Sequence, residues 1–280
     1  MEQAEFELGA MTILCGANNT GKTYVTYALF GFLSFWRKAF SIKVSDENIR
    51  QLLNDGALEL DIQDFIKNSG EIVKQGCQAF SQQLPSVFAS SEKHFSESEF
   101  MVNLDISEMH PVARFEKTMG TAKTQLFSIS KRPESPKVSI SLLVEKEKVR
   151  ISPEIIHQII GDAIKEIIFG DLFPNPFIAS AERTGAAIFR KELNFARNRL
   201  LEQMSAMEKD INPLEWLTNV YSDYALPVKA NVEFTRQLEA LAKNESFISK
   251  QHPETLNDFA NIIGVEYLVT QKDELYYVPM

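Results

Sequence analysis

The sequence predicts an α/β fold, because helical and strand periodicities occupy different blocks of its 280 residues. A short apolar run at residues 11–15 precedes a glycine-rich stretch, and a strongly apolar helix follows at 24–40. Apolar residues then recur at helical spacing over 41–95 and alternate with polar residues over 98–152. These observations predict a strand–loop–helix unit that carries a helical insertion and an antiparallel β-meander.

The composition is that of a soluble, acidic globular protein, with a net charge of −9. An acidic chain is not a general nucleic-acid binder, although a local basic face is compatible with it. The two cysteines, Cys15 and Cys77, form no metal or disulfide pattern, which favours a cytoplasmic location. The acidic N-terminus is unlike a signal peptide, and the longest apolar stretch, 25–36, is too short to span a bilayer.

A phosphate loop is the strongest motif. The pattern G-x-x-x-x-G-K-[ST] is met at every fixed position by Gly16, Ala17, Asn18, Asn19, Thr20, Gly21, Lys22 and Thr23. Backbone N–H groups from Asn18 to Lys22 are expected to form an anion nest at the positive end of the following helix. Lys22 is the predicted catalytic residue that reaches the β- and γ-phosphates of ATP, and Thr23 is the predicted Mg²⁺ ligand. Tyr24 completes the predicted nucleotide site.

Hydrolysis also needs an acidic residue at the end of a neighbouring apolar strand to hold Mg²⁺. Glu145 is the best local match, since it follows the apolar residues 140–144, but it opens a charged turn. Asp105 has mixed neighbours, and Asp273 with Glu274 reads as a turn. The sequence therefore leaves open that this acid lies outside the chain.

A second candidate cluster follows the apolar residues 177–180, which predict another short strand. Glu182 is a candidate for contact with Mg²⁺ or water, and Arg183 for contact with phosphate, because ligands bind where strands of such sheets end. The alternative is an ion pair and helix cap at a strand–helix junction.

Basic residues recur along the helix predicted at 186–209. Arg183, Arg190 and Arg197 are spaced by seven and would share one side of a helix. A ridge that faces phosphate or nucleic acid is one interpretation, and a solvated helix with salt bridges to interleaved glutamates is the other. The histidines are scattered and predict neither a metal site nor a triad; they are His94, His110, His157 and His252.

The predicted domains are 1–185, the phosphate-loop lobe with its two insertions, and 186–280, a helical arm that ends in a β-hairpin. Further helices are predicted from residue 45, at 69–84, from 153 to 169, and at 214–224, 232–242 and 255–263. Further strands are predicted at 6–11, 100–106, 125–130, 137–144, 148–152, 265–270 and 275–278.

Residues 6–23 resemble the opening of the RecF/SMC-type, ABC-like AAA family ATPases, in which Leu-Gly and an apolar strand precede G-x-N-[NG]-[ST]-G-K-[ST]. The centre, Asn18-Asn19-Thr20, is similar to the OLD-like and Septu-like branches of bacterial antiphage defence systems. Residues 177–185 resemble a second landmark of that family, an apolar strand that ends in Pro/Ser-Ala-Glu-Arg.

The resemblance implies an ABC/RecF-like head that binds ATP and Mg²⁺ between two copies. It implies a homodimer or head-to-head oligomer, often with a nuclease partner and with DNA or RNA. In that family the signature motif, the acid pair and the switch histidine belong to a C-terminal lobe. This chain shows none of the three, so we expect it to correspond to the N-terminal half of such a head.

The predicted function is therefore that of an ATP-binding ATPase domain whose hydrolysis needs a further lobe or a partner. The alternative is an interaction module that binds ATP without turnover and docks a nuclease. A small-molecule kinase is a third possibility, which would require the arginines at 183, 190 and 197 to face the γ-phosphate.

Overall fold

A computed structural model describes residues 3–104, 110–120, 125–144, 152–181, 224–242, 247–269 and 275–279. The chain divides into two compact units, Met1–Phe177 and Ile178–Met280. The predicted boundary between 185 and 186 lies outside the described residues.

Unit 1 is a mixed α/β structure. Its helices are α1 (Lys22–Lys38), α2 (Asp46–Asp55), α3 (Ile62–Lys67), α4 (Ser69–Ser81), α5 (Leu84–Phe88) and α6 (Pro153–Phe169). Its strands are β1 (Ala57–Asp61), β2 (Phe115–Gly120), β3 (Gln125–Lys131) and β4 (Lys137–Leu142).

Helix α1 is the centre of an aromatic core, as its nearly all-round apolar sequence predicts. Phe32 is fully buried and Trp36 is 1% exposed. The rings that pack around these two are Phe40, Phe80, Phe100, Phe169 and Phe173. Edge-to-face and offset contacts of this kind stabilise the core beyond the area that they bury.

Helix α6 holds the C-terminal end of α1 through a buried lysine. Lys165 is 5% exposed, and its Nζ donates hydrogen bonds to the carbonyl oxygen of Phe40 and, at 2.9 Å, to Oδ1 of Asp162. The Lys165 Nζ is also 3.5 Å from the Arg37 carbonyl oxygen. A cation at this position compensates the negative end of the helix dipole. The sequence predicted α6 and its start at Ser152-Pro153, but not this role for Lys165.

The sheet of unit 1 is antiparallel, with the strand order β1-β4-β3-β2. Its buried face carries alternate apolar residues, including Phe127 and Ile129 of β3 and Ile140 of β4. Ile140 pairs with Ile129 on one side and with Leu58 of β1 on the other. The predicted strands at 125–130 and 137–144 are therefore confirmed as β3 and β4, although β4 ends at Leu142. The strand predicted at 148–152 lies outside the described residues apart from residue 152, which is not in a strand.

Two strands of this sheet were missed. Strand β1 lies inside the block 41–95 that was predicted to be mostly helical, where Gly56 (φ 76°) ends α2 and only five residues of strand follow. Strand β2 begins at Phe115, whereas the predicted strand was 100–106. Of that prediction, residues 100–104 are described and do not form a strand. The ring of Phe100 instead packs against Phe32 in the α1 core. The alternating pattern over 100–104 therefore reflects side-chain packing in a segment that is not in a strand.

The predicted strands at 6–11, 11–15 and 177–180 are also wrong, since all of these residues are described and none is in a strand. Met11 is 80% exposed and Ile13 is 70% exposed. A strand exists only where a neighbour pairs with its backbone, and apolar alternation does not supply that neighbour. All strand pairs in the described residues are antiparallel. These residues therefore contain no parallel sheet that would support the predicted phosphate-loop fold.

The helix predicted at 69–84 is α4, which ends earlier, at Ser81, and Pro85 lies in the first turn of the next helix, α5. Proline is tolerated there since the first helical N–H groups have no partner within the helix. The helix predicted from residue 45 is α2, and Ser45 caps it: Ser45 Oγ accepts a hydrogen bond of 3.2 Å from the Asn48 N–H.

Unit 2 contains helices α7 (Leu226–Ala242), α8 (Phe247–Gln251) and α9 (Pro253–Ile263), followed by strands β5 (Val265–Val269) and β6 (Leu275–Pro279). The two strands pair antiparallel, which confirms the predicted C-terminal hairpin. The helices predicted at 186–209 and 214–224 lie outside the described residues, apart from the last residue of the second, Tyr224, which is not helical. Among the helices described in both units, none is long and apolar enough to cross a membrane.

Candidate functional site

The phosphate loop turns directly into α1. Gly21 is the N-cap residue of the helix and has φ 91°, a left-handed conformation that glycine adopts without steric cost. Asn19 is also left-handed, with φ 63°. Asparagine is among the few other residues that tolerate this region. The residue types at these two positions therefore suit the left-handed backbone conformation that the loop has there.

The first N–H groups of α1 have no acceptor within the helix, as at every helix start. The first hydrogen bond of the helix runs from the Val25 N–H to the Gly21 carbonyl at 3.1 Å. The N–H groups of Lys22, Thr23 and Tyr24 come before it and carry the positive end of the helix dipole. This end of α1 has the electrostatics that an anion such as phosphate requires.

The Lys22 ammonium is held by the loop itself. Its Nζ donates to the Gly16 carbonyl at 2.7 Å and to the Ala17 carbonyl, and it lies 3.5 Å from Thr20 Oγ1. Thr20 Oγ1 donates in turn to the Ala17 carbonyl at 2.9 Å. An ammonium has three protons to donate and the two carbonyls take two of them, so the third can go to a phosphate oxygen in place of the long contact with Thr20 Oγ1. The loop is thus folded around its own cation.

The predicted Mg²⁺ ligand, Thr23, is exposed in the first turn of α1. Its carbonyl accepts a hydrogen bond of 3.1 Å from Thr26 Oγ1. Within the described ranges, His, Cys, Asp and Glu side chains form no group of three or more that could hold a metal. Thr23 is the residue of the loop that the sequence predicts as the cation ligand, and its exposed position leaves its side chain accessible.

Tyr24 ends a row of stacked aromatic rings. Its ring centroid is 4.9 Å from that of Phe88 on α5, with 24° between the ring planes. Phe88 is stacked on Phe95 at 5.1 Å and 14°. Tyr24 is nevertheless 55% exposed, unlike Tyr27 one turn further along, which is buried. A large, fixed and open aromatic ring therefore lies beside the phosphate loop.

Several predicted site residues lie outside the described residues. These are Glu182 and Arg183, the strand-end acids Asp105 and Glu145, the turn acids Asp273 and Glu274, and the basic residues Arg190 and Arg197. Their roles remain predictions.

Asn231 of α7 is a buried polar residue that the sequence did not reveal. It is 4% exposed, and its side-chain amide binds the backbone of residues 178–180 at both ends. Its Oδ1 accepts from the Ser180 N–H at 2.9 Å, and its Nδ2 donates to the Ile178 carbonyl. The amide thus replaces the strand neighbour that this segment lacks, and it fixes the chain just before Ala181 and Glu182.

The structure also has a groove of about 510 Å³, and none of Gly16 to Thr23 lines it. Phe95 and Pro85 contribute to its lining, together with the acidic residues Glu92 and Glu99. Two carboxylates would repel a triphosphate, so we assign no nucleotide to this groove.

Comparisons of the chain with models of known protein families, with curated proteins and with solved structures returned no match.

Proposed function

We propose that this chain binds ATP with Mg²⁺ through the loop Gly16–Thr23, as an ATPase domain of the ABC/RecF/SMC-like type. The observation that carries the proposal is the loop closed around Lys22, whose Nζ is bonded to the Gly16 and Ala17 carbonyls. Lys22 is also the first residue of α1, so the loop combines a cation with a helix N-terminus, and both favour the negative charge of a polyphosphate. The type of ATPase rests on the sequence resemblance alone.

The chain's own groups have distinct roles in this proposal. Backbone N–H groups from Asn18 to Lys22 bind the phosphate oxygens, and Lys22 neutralises the β- and γ-phosphates. Thr23 contributes one oxygen ligand to Mg²⁺. We propose further that the chain is part of a DNA-processing or antiphage defence system. We also propose that it assembles as a dimer with a nuclease partner.

Calorimetric titration with ATP and Mg²⁺ tests the binding step. Replacing Lys22 by Ala removes a charged hydrogen-bond donor, worth about 1.5–3 kcal/mol, so we expect affinity to fall by about ten- to a hundredfold. Lys38→Ala is the matched control, because Lys38 is an exposed lysine at the opposite end of the same helix. Equal affinities of the two variants would contradict the proposal.

Phosphate release under the same conditions separates an ATPase from a module that only binds. Turnover by the unmodified chain that Lys22→Ala abolishes supports the enzyme. Binding that depends on Lys22, with no phosphate release, supports the interaction module or a requirement for a second lobe. Phosphate release measured at several protein concentrations tests dimerisation. If two copies share a site, the specific activity of the protein rises with its concentration.

A further inference from the structure

The aromatic row beside the loop is built from three rings on separate parts of the chain. Tyr24 is in the first turn of α1, Phe88 ends α5, and Phe95 directly follows a short 3₁₀ turn at Glu92–His94. Tyr27 adds a further contact to Phe88 at 6.3 Å and 23°. The interplanar angles in this row lie between 14° and 24°, so the rings are close to parallel. Tyr24 is therefore held in a fixed plane by the ring beneath it.

The exposure of Tyr24 is not explained by its packing. The core of α1 begins at Tyr27, which is 7% exposed, whereas Tyr24 is 55% exposed. Phe88 covers one side of the Tyr24 ring, and the side chain keeps more than half of its surface open. Nucleobases stack on aromatic side chains, and a flat ring that is covered on one side and open on the other offers a face for such stacking.

The ring lies in the same helical turn as the groups proposed to hold the phosphates. Tyr24 follows Thr23 directly, so their Cα atoms are about 3.8 Å apart. Tyr24 is the aromatic residue of the first turn of α1, which also carries Lys22 and Thr23.

We propose that the open face of Tyr24 is a stacking platform for the base of the bound nucleotide, and that the ligand class is purine nucleoside triphosphates. This inference rests on the proposed nucleotide-binding function. Stacking depends on the area of the π-face rather than on the groups at the base edge. The two purine nucleotides ATP and GTP therefore bind alike, and the smaller ring of CTP binds more weakly.

Titrations with ATP, GTP, CTP and inorganic tripolyphosphate, each with Mg²⁺, test this platform. Loss of one base–ring stack corresponds to about 1–3 kcal/mol, so Tyr24→Ala weakens ATP and GTP by about tenfold. Tyr24→Phe keeps the ring and retains the affinity of the unmodified chain. Tripolyphosphate has no base, and its affinity is unchanged in both variants.

Tyr24→Leu is a second variant, which keeps apolar contact with Phe88 in case Tyr24→Ala perturbs α1. It lowers the ATP affinity as Tyr24→Ala does while leaving that of tripolyphosphate intact. The platform is overturned if Tyr24→Leu binds ATP as tightly as the unmodified chain does, or if it loses as much affinity for tripolyphosphate as for ATP.

Failure of the platform and failure of the nucleotide site give different results. If tripolyphosphate and ATP bind in a Lys22-dependent manner but are insensitive to Tyr24, the loop assignment stands and the platform is wrong. If neither ligand binds, or if Lys22→Ala has no effect on either, both proposals are wrong.

Discussion

The two flanks of the phosphate loop have similar apolar character but opposite environments. After the loop, α1 buries Phe32 and Trp36 among rings from other helices and loops. Before the loop, Met11 and Ile13 are largely exposed, and residues 3–20 are all described and contain neither helix nor strand. Apolar sequence alone therefore does not decide burial in this chain. The difference is a packing partner, which α1 has within unit 1 and the preceding segment lacks among the described residues.

Truncating one apolar side chain on each flank tests this difference most strongly. We expect Trp36→Ala to lower the free energy of unfolding by about 3–5 kcal/mol, because it leaves a cavity in the aromatic core. Ile13→Ala should change it by no more than about 0.5 kcal/mol, since Ile13 is 70% exposed. Urea unfolding followed by tryptophan fluorescence measures Ile13→Ala, and circular dichroism measures both variants. A loss of 2 kcal/mol or more with Ile13→Ala would show that the N-terminal flank is packed.

Thiol labelling compares the same two regions without changing the packing. Cys15 is exposed directly before Gly16, whereas Cys77 is buried in α4. Burial raises the pKa of the Cys77 thiol, although a hydrogen bond with the Val102 backbone opposes this, so less reactive thiolate is present near neutral pH. We expect iodoacetamide to modify Cys15 at least about a hundredfold faster than Cys77 in the native protein, since Cys77 needs a local opening.

The labelling contrast should disappear in urea, where both thiols become accessible. Mass spectrometry of digested samples assigns each modification to its cysteine. Comparable native rates would contradict the burial of Cys77, and slow labelling of Cys15 would contradict the exposure of the flank before the loop.

Two glycines in the helices of unit 1 are expected to give smaller stability changes, of opposite sign, when each is replaced by alanine. A Cβ at Gly161 of α6 would collide with the carbonyl oxygen of Ile42 and lie 2.6 Å from Ser41 Oγ, whereas a Cβ at Gly70 of α4 would meet nothing within 4 Å. We expect Gly161→Ala to destabilise the protein by about 1–3 kcal/mol through overpacking. Gly70→Ala should stabilise it by up to about 1 kcal/mol, because alanine favours helix and restricts the unfolded chain. Thermal unfolding of the two variants measures both signs, and destabilisation by Gly70→Ala would contradict the open space there.

Much of the fold could be predicted because its signals are local. Helices α1 and α6 have long apolar patterns with caps or cations at their ends, and β3 and β4 alternate in register with neighbours close in sequence. Strand β1 could not be predicted, because its partner β4 lies about eighty residues away and supplies the ladder. The segments at 6–15 and 177–180 show the converse, since strand-like sequence without a neighbour in the sheet remains irregular.

The candidate site also has features that local sequence predicts and features that depend on long-range contacts. The loop was predicted because its glycines, Lys22 and Thr23 are contiguous, and Asn19 and Gly21 adopt the turn conformation that their residue types favour. The stacking of Tyr24 on Phe88 and the grip of Asn231 on residues 178–180 depend on contacts between distant parts of the chain. Residue type and spacing do not encode such contacts.

Hydrogen exchange of the loop amides, measured by mass spectrometry with and without ATP and Mg²⁺, tests whether the loop Gly16–Thr23 binds the nucleotide. We expect nucleotide to slow exchange in a peptide covering Gly16 to Tyr24, because phosphate oxygens accept hydrogen bonds from N–H groups that have no acceptor in the helix. Lys22→Ala should lose this protection at the same nucleotide concentration. Bound ATP that leaves exchange in this peptide unchanged, or that protects the groove around Glu92 and Glu99 instead, would contradict the assignment of the loop as the nucleotide site.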